Sequence, residues 1–184
     1  MTSRTADPAH LALLESLSTD EQPHSGRTLL EHLVGTRDLL VAWGNPDHVC
    51  AGGLFHSIYG TAYYRVQSAS LDRRGEVAAV IGAAAEELAY LFCVTDRPAF
   101  FTEIAAAEPT LEDRVHGTSV PVSHSVLRHL IEIEVANVVE QVDPTTARPQ
   151  TVERLQAMLA DGEGHMSTAA HAALAAMIGA FARS

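Results

Sequence analysis

The chain has 184 residues and a mass of 19.7 kDa, enough for one domain with a sizeable core. A formal net charge of −11, set against twelve arginines and no lysine, argues against nucleic-acid backbones and anionic membranes as partners. Hydrophobic residues make up 47%, yet no apolar run reaches the roughly 18 residues of a membrane span.

The stretch Met1 to Pro8 is polar and lacks the apolar block of a secretory signal. Pro8 to Leu17 reads as a short helix and Ser18 to Ser25 as a polar loop. Arg27 to Trp43 carries a helical apolar pattern that stops at Gly44-Asn45-Pro46. A second helix runs from Pro46 to Ser57 and ends near Gly60. Leu71 to Ile81 and Ala83 to Phe92 follow, broken by Gly82. Asp96 to Pro121 is long and irregular, with one short helix expected near Thr110 to Arg114. An unstructured segment of that length in a compact domain reads as a lid or pocket wall. Ser123 caps a helix to about Val142, closed by Asp143-Pro144. Arg148 to Ala160 and Ser167 to Ala182 form a terminal pair around Asp161-Gly-Glu-Gly164. No repeat, useful heptad or β-hairpin signal is present, so the expected fold class is all-α, a single-domain helical bundle with its core over about 27–142. Cys50 and Cys93, isolated in apolar segments, read as buried small hydrophobes of a cytoplasmic protein.

Two histidines lie on the most apolar of these helices. At 100° per residue His32 falls among Leu29, Leu39, Leu40 and Trp43, with Leu30, Val34 and Val41 opposite, so His32 is expected to be buried. His56 ends the run Val49-Cys-Ala-Gly-Gly-Leu-Phe-His56, whose small residues let another backbone approach closely. On the helix from Ser123, Glu134 projects to the centre of a face made by Leu127, Leu130, Ile131 and Val138, with Asn137 and Gln141 along the same stripe. A buried carboxylate must be paired, metal-bound or protonated. The simplest partner for Glu134 is a cation or histidine supplied by His32 and His56. Two imidazoles and a carboxylate are a ligand set for divalent manganese, iron or zinc with open positions. The same histidines can instead be core residues satisfied by Ser57, Glu134 and Asn137 without metal.

The order of these motifs resembles the HD superfamily. It runs from Glu31-His-Leu-Val-Gly-Thr-Arg37 through Ala51-Gly-Gly-Leu-Phe-His-Ser57 and Ile81-Gly-Ala-Ala-Ala-Glu-Glu-Leu-Ala-Tyr-Leu-Phe92 to Ala136-Asn137. The likeness is to the branch containing the RelA/SpoT-type alarmone hydrolases and spans roughly Arg27 to Val142. Within it the chain is similar to a degenerate family with the signature Leu-Phe-His-Ser-x-Tyr-Gly-Thr. The resemblance implies an all-α HD-like fold, with His32 and His56 at the first two family histidine ligands. Three departures follow. Ser57 stands where the family has its aspartate. Gly60-Thr61 replaces the Glu-Asp pair that activates water in the alarmone hydrolases. The late family aspartate falls near Ile133 or Glu134, so Glu134 becomes the ligand only with a one-residue slip.

The expected function is a small-molecule enzyme acting by metal-dependent hydrolysis on a polar or phosphorylated substrate. Its metal ligands would be His32, His56 and Glu134, and its catalytic groups His56, Ser57 and Glu134. His48, Tyr59, Thr61, Tyr63, Arg65 and Asn137 are candidates to contact substrate through imidazole, hydroxyl, guanidinium or amide groups. Arg114, His116 and Thr118 sit where a loop could close over such a pocket. The alternatives are a metal-free isomerase, lyase or cyclase of a biosynthetic pathway, and a non-catalytic ligand-binding domain. The Ala-rich face from Ala169 to Phe181 either packs on the core or joins two copies in a homodimer.

Overall fold

The computed structural model describes residues 5–24, 26–143 and 148–181. The predicted Ser25 and Pro144 boundaries and the Ala182 helix end lie outside them. Among the described residues the chain is mainly helical. No helix there is long and apolar enough to cross a membrane.

The first helix, α1 (Pro8–Ser16), is capped by Asp7, whose side chain accepts from Ala9 N. A two-residue hairpin, β1 (Pro23–His24) with β2 (Arg27–Thr28), precedes α2 (Leu29–Ala42). Sequence periodicity extends the α2 pattern back to Arg27, but the helix starts two residues later because Thr28 caps it. The Thr28 hydroxyl accepts from Glu31 N, and Glu31 in turn accepts from Thr28 N, a reciprocal capping box. Gly44, with φ of 81°, ends the segment before α3 (Asp47–Phe55). This third helix is buried from Val49 to Phe55 and lies between α2 and α5 (Ala83–Val94). Its Gly52 and Gly53 permit the approach. A Cβ on Gly52 would sit 3.0 Å from Leu88 Cβ on α5, and one on Gly53 would overlap Leu40 Cδ1 on α2.

A 3₁₀ turn over Leu71–Arg73 leads into α4 (Arg74–Ile81), which meets α5 through Gly82 at φ 86°. The segment expected to be irregular is not. It contains α6 (Ala99–Glu103) and a hairpin of β3 (Thr110–Asp113) with β4 (Thr118–Pro121). The helix expected near Thr110 to Arg114 is therefore a strand and turn. Asp113 explains the difference: its carboxylate accepts from Val115 N and His116 N, and Gly117 closes the turn at φ 66°. α7 (His124–Gln141), capped by Ser123, contacts α2, α3, α5, α6 and α9. The terminal pair is α8 (Pro149–Asp161) and α9 (Thr168–Phe181). Ala170 and Leu174 of α9 are buried, and the helix packs on α7 and α8.

Candidate functional site

His32 comes from the middle of α2 and His56 from the C-terminal cap of α3, and both are fully buried. Their Nε2 atoms face each other at 3.2 Å, with the rings nearly perpendicular. Each Nδ1 is held from outside. His56 Nδ1 donates to Gly53 O at 2.6 Å, which a carbonyl can only accept. His32 Nδ1 contacts a carboxylate oxygen of Glu140 on α7, whose other oxygen is paired with Arg27. The Glu140 carboxylate, paired with Arg27, is the acceptor of this contact, which places the His32 proton on Nδ1.

Proton counting bears on the space between the rings. A neutral imidazole carries one N–H. With both on Nδ1, two lone pairs would face each other across 3.2 Å. A shared proton or a metal ion between them would relieve that repulsion. The spacing suits both. Two nitrogens bound to one tetrahedral metal at about 2.0–2.1 Å lie about 3.3 Å apart. Outward Nδ1–H bonds to a carboxylate and a carbonyl are the usual support for metal-ligating histidines. Burial, and next the neighbouring His32, hold the His56 pKa well below its ordinary value of 6.5.

His24, placed by the first hairpin, stacks on His32 with centroids 4.4 Å apart and meets Gln141 Oε1 through Nε2 at 3.2 Å. Its pKa is lowered, first by burial and then by His32. Next to the pair, adjoining it through His24 and Ser57, lies a cavity of about 500 Å³, whose wall also includes Thr61, Arg97, Asn137 and Gln141 but neither His32 nor His56. Another cavity, of about 350 Å³ beside Asp7, His10 and Arg37, shares no wall residue with it.

Of the candidates named from sequence, His32, His56, Ser57, Thr61, Tyr63 and Asn137 converge on the pair or this cavity. Glu134 does not join the histidines. It is buried, but Arg97 Nη1 donates to one of its oxygens at 3.0 Å and Arg154 Nη2 to the other at 2.5 Å, while Asn137 Nδ2 adds a bond of 2.9 Å. The arginines satisfy the charge that the sequence left to the imidazoles. Tyr59 is buried, with its hydroxyl donating to Glu86 at 3.0 Å. Together with Arg65 it borders a separate cavity beside Cys93 and Arg114. His48 is half-buried against His129, with ring centroids 4.9 Å apart. Tyr90 and Asp113 hold His116, which is exposed and lines none of these cavities. Glu140, Arg27 and His24 were not picked out from the sequence. Among the described residues, no group of three or more His, Cys, Asp or Glu side chains is arranged to hold a metal ion.

A family model described as a domain of unknown function, DUF6817, matches residues 13–97. That span takes in His24, His32, His56 and Arg97 but ends before Glu134, Asn137 and Glu140. No curated protein and no solved structure matches the chain.

Proposed function

We propose that this protein is a small-molecule enzyme with a modified HD-type site. In this reading the facing Nε2 atoms of His32 and His56 hold one divalent metal ion, and the adjoining cavity receives a small polar or phosphorylated substrate for hydrolytic chemistry. The observation that carries the reading is the 3.2 Å spacing of two nitrogens whose rings are both anchored through Nδ1. The likeness of the sequence around His32 and His56 to the HD superfamily supports it. Two imidazoles suit manganese, iron or zinc, and the remaining coordination positions fall to water or substrate. When bound, such an ion polarises an ester or phosphoryl oxygen and lowers the pKa of a coordinated water. Ser57 and Asn137 border the substrate, His24 stacks on His32 at the cavity wall, and Glu140 fixes the orientation of His32. Glu134 leaves the metal set and serves as the anchor of Arg97.

A metal-free acid–base enzyme is the second reading, favoured by the chain Glu140–His32–His56. Carboxylate, imidazole and imidazole in hydrogen-bond contact make a proton relay that needs no metal. Elemental analysis of untagged protein separates the two, with His56→Ala as control and circular dichroism to check folding. About one manganese, iron or zinc per chain, lost in the variant, is expected. No metal after reconstitution with each of the three would overturn the metal reading in favour of the relay or of binding alone.

A further inference from the structure

Arg97 follows α5 and is 6% exposed. Its Nη1 donates to Glu134, and its guanidinium lies 4.3 Å from the ring centre of Tyr63 and 5.2 Å from that of Phe92. Its Nε–H has no hydrogen-bond partner. An unmade bond on a buried charged donor is costly, so its persistence calls for an acceptor. Glu134 does not cancel the charge, because the same carboxylate also pairs with Arg154. Two guanidiniums thus share one anion. Arg97 also lines the 500 Å³ cavity, whose described wall contains no aspartate or glutamate and presents the hydroxyls of Ser57 and Thr61 and the amide of Asn137. A planar cation with an unpaired Nε–H, on the wall of a pocket without acidic side chains, is suited to a carboxylate or phosphoryl group.

We propose that Arg97 is the anion-binding residue of this cavity, so that the substrate is a small molecule bearing an oxyanion. The inference rests on reading the cavity as the substrate site, and it names the chemical class that the site takes. Tyr63 is the positioning residue. Its ring, 57% exposed, covers the guanidinium and holds its plane.

The test is calorimetric titration of the full chain, freed of metal by chelator, with inorganic phosphate and separately with acetate. Because no metal is present, failure here is distinct from failure of the metal reading. Saturable binding of one anion per chain is expected, weakened at least about tenfold in Arg97→Lys, which keeps the charge but loses the planar donor edge. Arg65→Gln, in the neighbouring cavity, should bind as the parent does. Phosphate binding without acetate binding assigns a phosphoryl group, and the reverse assigns a carboxylate. Absence of saturable binding by both anions, unchanged affinity in Arg97→Lys, or loss in Arg65→Gln instead would overturn the proposal. Should Arg97→Lys fail to fold, Tyr63→Ala supplies the readout: weaker binding by severalfold supports the assignment, and unchanged affinity overturns it.

Discussion

Replacing Glu140 tests whether the His32 contact is a charged, cation-holding bond. Its side chain is 7% exposed and joins His32 to Arg27. In Glu140→Gln the amide oxygen still accepts from His32 Nδ1, so the loss is the difference between a charge-assisted and a neutral hydrogen bond, about 1–2 kcal/mol. The Arg27 side chain is 34% exposed and can turn to water, so its lost pairing adds only about 0–1 kcal/mol. The expected cost is about 2 kcal/mol, or about 4–8 °C in melting temperature for a chain of this size. Glu140→Ala removes the acceptor as well and should cost about 3–5 kcal/mol. Urea denaturation of metal-free protein at pH 7 reads these values. A double-mutant cycle with His32→Gln should return a coupling of about 0.5–3 kcal/mol. Metal affinity should fall about 10–100-fold in Glu140→Gln, as expected when a supporting carboxylate is lost. A cost below about 0.5 kcal/mol in Glu140→Ala, with no coupling to His32, would refute the proton assignment on which the facing lone pairs depend.

Two further perturbations bear on the same pair. Alanine at Gly35 would place its Cβ 2.9 Å from both Cγ and Cδ of Glu140. Glycine-to-alanine in a helix interior ordinarily stabilises by about 0.5–1 kcal/mol. Here His32 and Arg27 hold the carboxylate in place, so Gly35→Ala should instead destabilise by about 1–3 kcal/mol. A variant as stable as the parent would mean that Glu140 moves freely. The depressed pKa values of His56, His24 and His129 give a pH signature. Unfolding lets each recover its ordinary pKa of about 6.5 and bind a proton that the folded state resists. Their contribution is therefore complete above about 6.5 and is lost as pH falls toward the lowered folded values. Urea midpoints should decline between pH 7 and 5, less steeply in His56→Gln, and identical profiles would contradict the assignment.

The parts of the fold that show in the sequence are those where one rule acts alone. Gly44-Asn45-Pro46 stops α2, and the Ser123 hydroxyl caps α7. The small residues before His56 admit their neighbours, and His32 is buried among the leucines of its face. The two hairpins leave no legible sequence pattern, for physical reasons. Strands of two residues have no periodicity to read, and Thr110–Asp113 becomes a strand because Asp113 folds the following turn with its own side chain. Glu140 escapes a projection that gives α7 a single apolar face. By about 100° per residue it lies about 120° around the axis from Glu134. Yet α7 is enclosed by five other helices and buried continuously from Leu130 to Val138, so more than one of its faces meets the interior. Such a helix can bury several carboxylates toward different partners, as Glu132, Glu134 and Glu140 are, and a single projected stripe reveals only one.

That division also reconciles an acidic chain with a site for an anion. Along α7, Glu140 is matched by Arg27 and His32, and Glu134 by Arg97 and Arg154, while Glu132, also buried, accepts from Asn45 and Ser167. Asn137, three residues from Glu134 and from Glu140, lines the cavity between their clusters and donates to Glu134. The net charge of −11 belongs largely to solvated groups, whose fields are screened over about 8–10 Å at physiological salt. It disfavours extended polyanions, which must approach across that surface. It does little to a small anion inside the cavity, where the near field is set by Arg97. In the proposed reading the chain selects by size as well as by sign: acidic to a macromolecule, and locally basic to a small anion that fits within about 500 Å³.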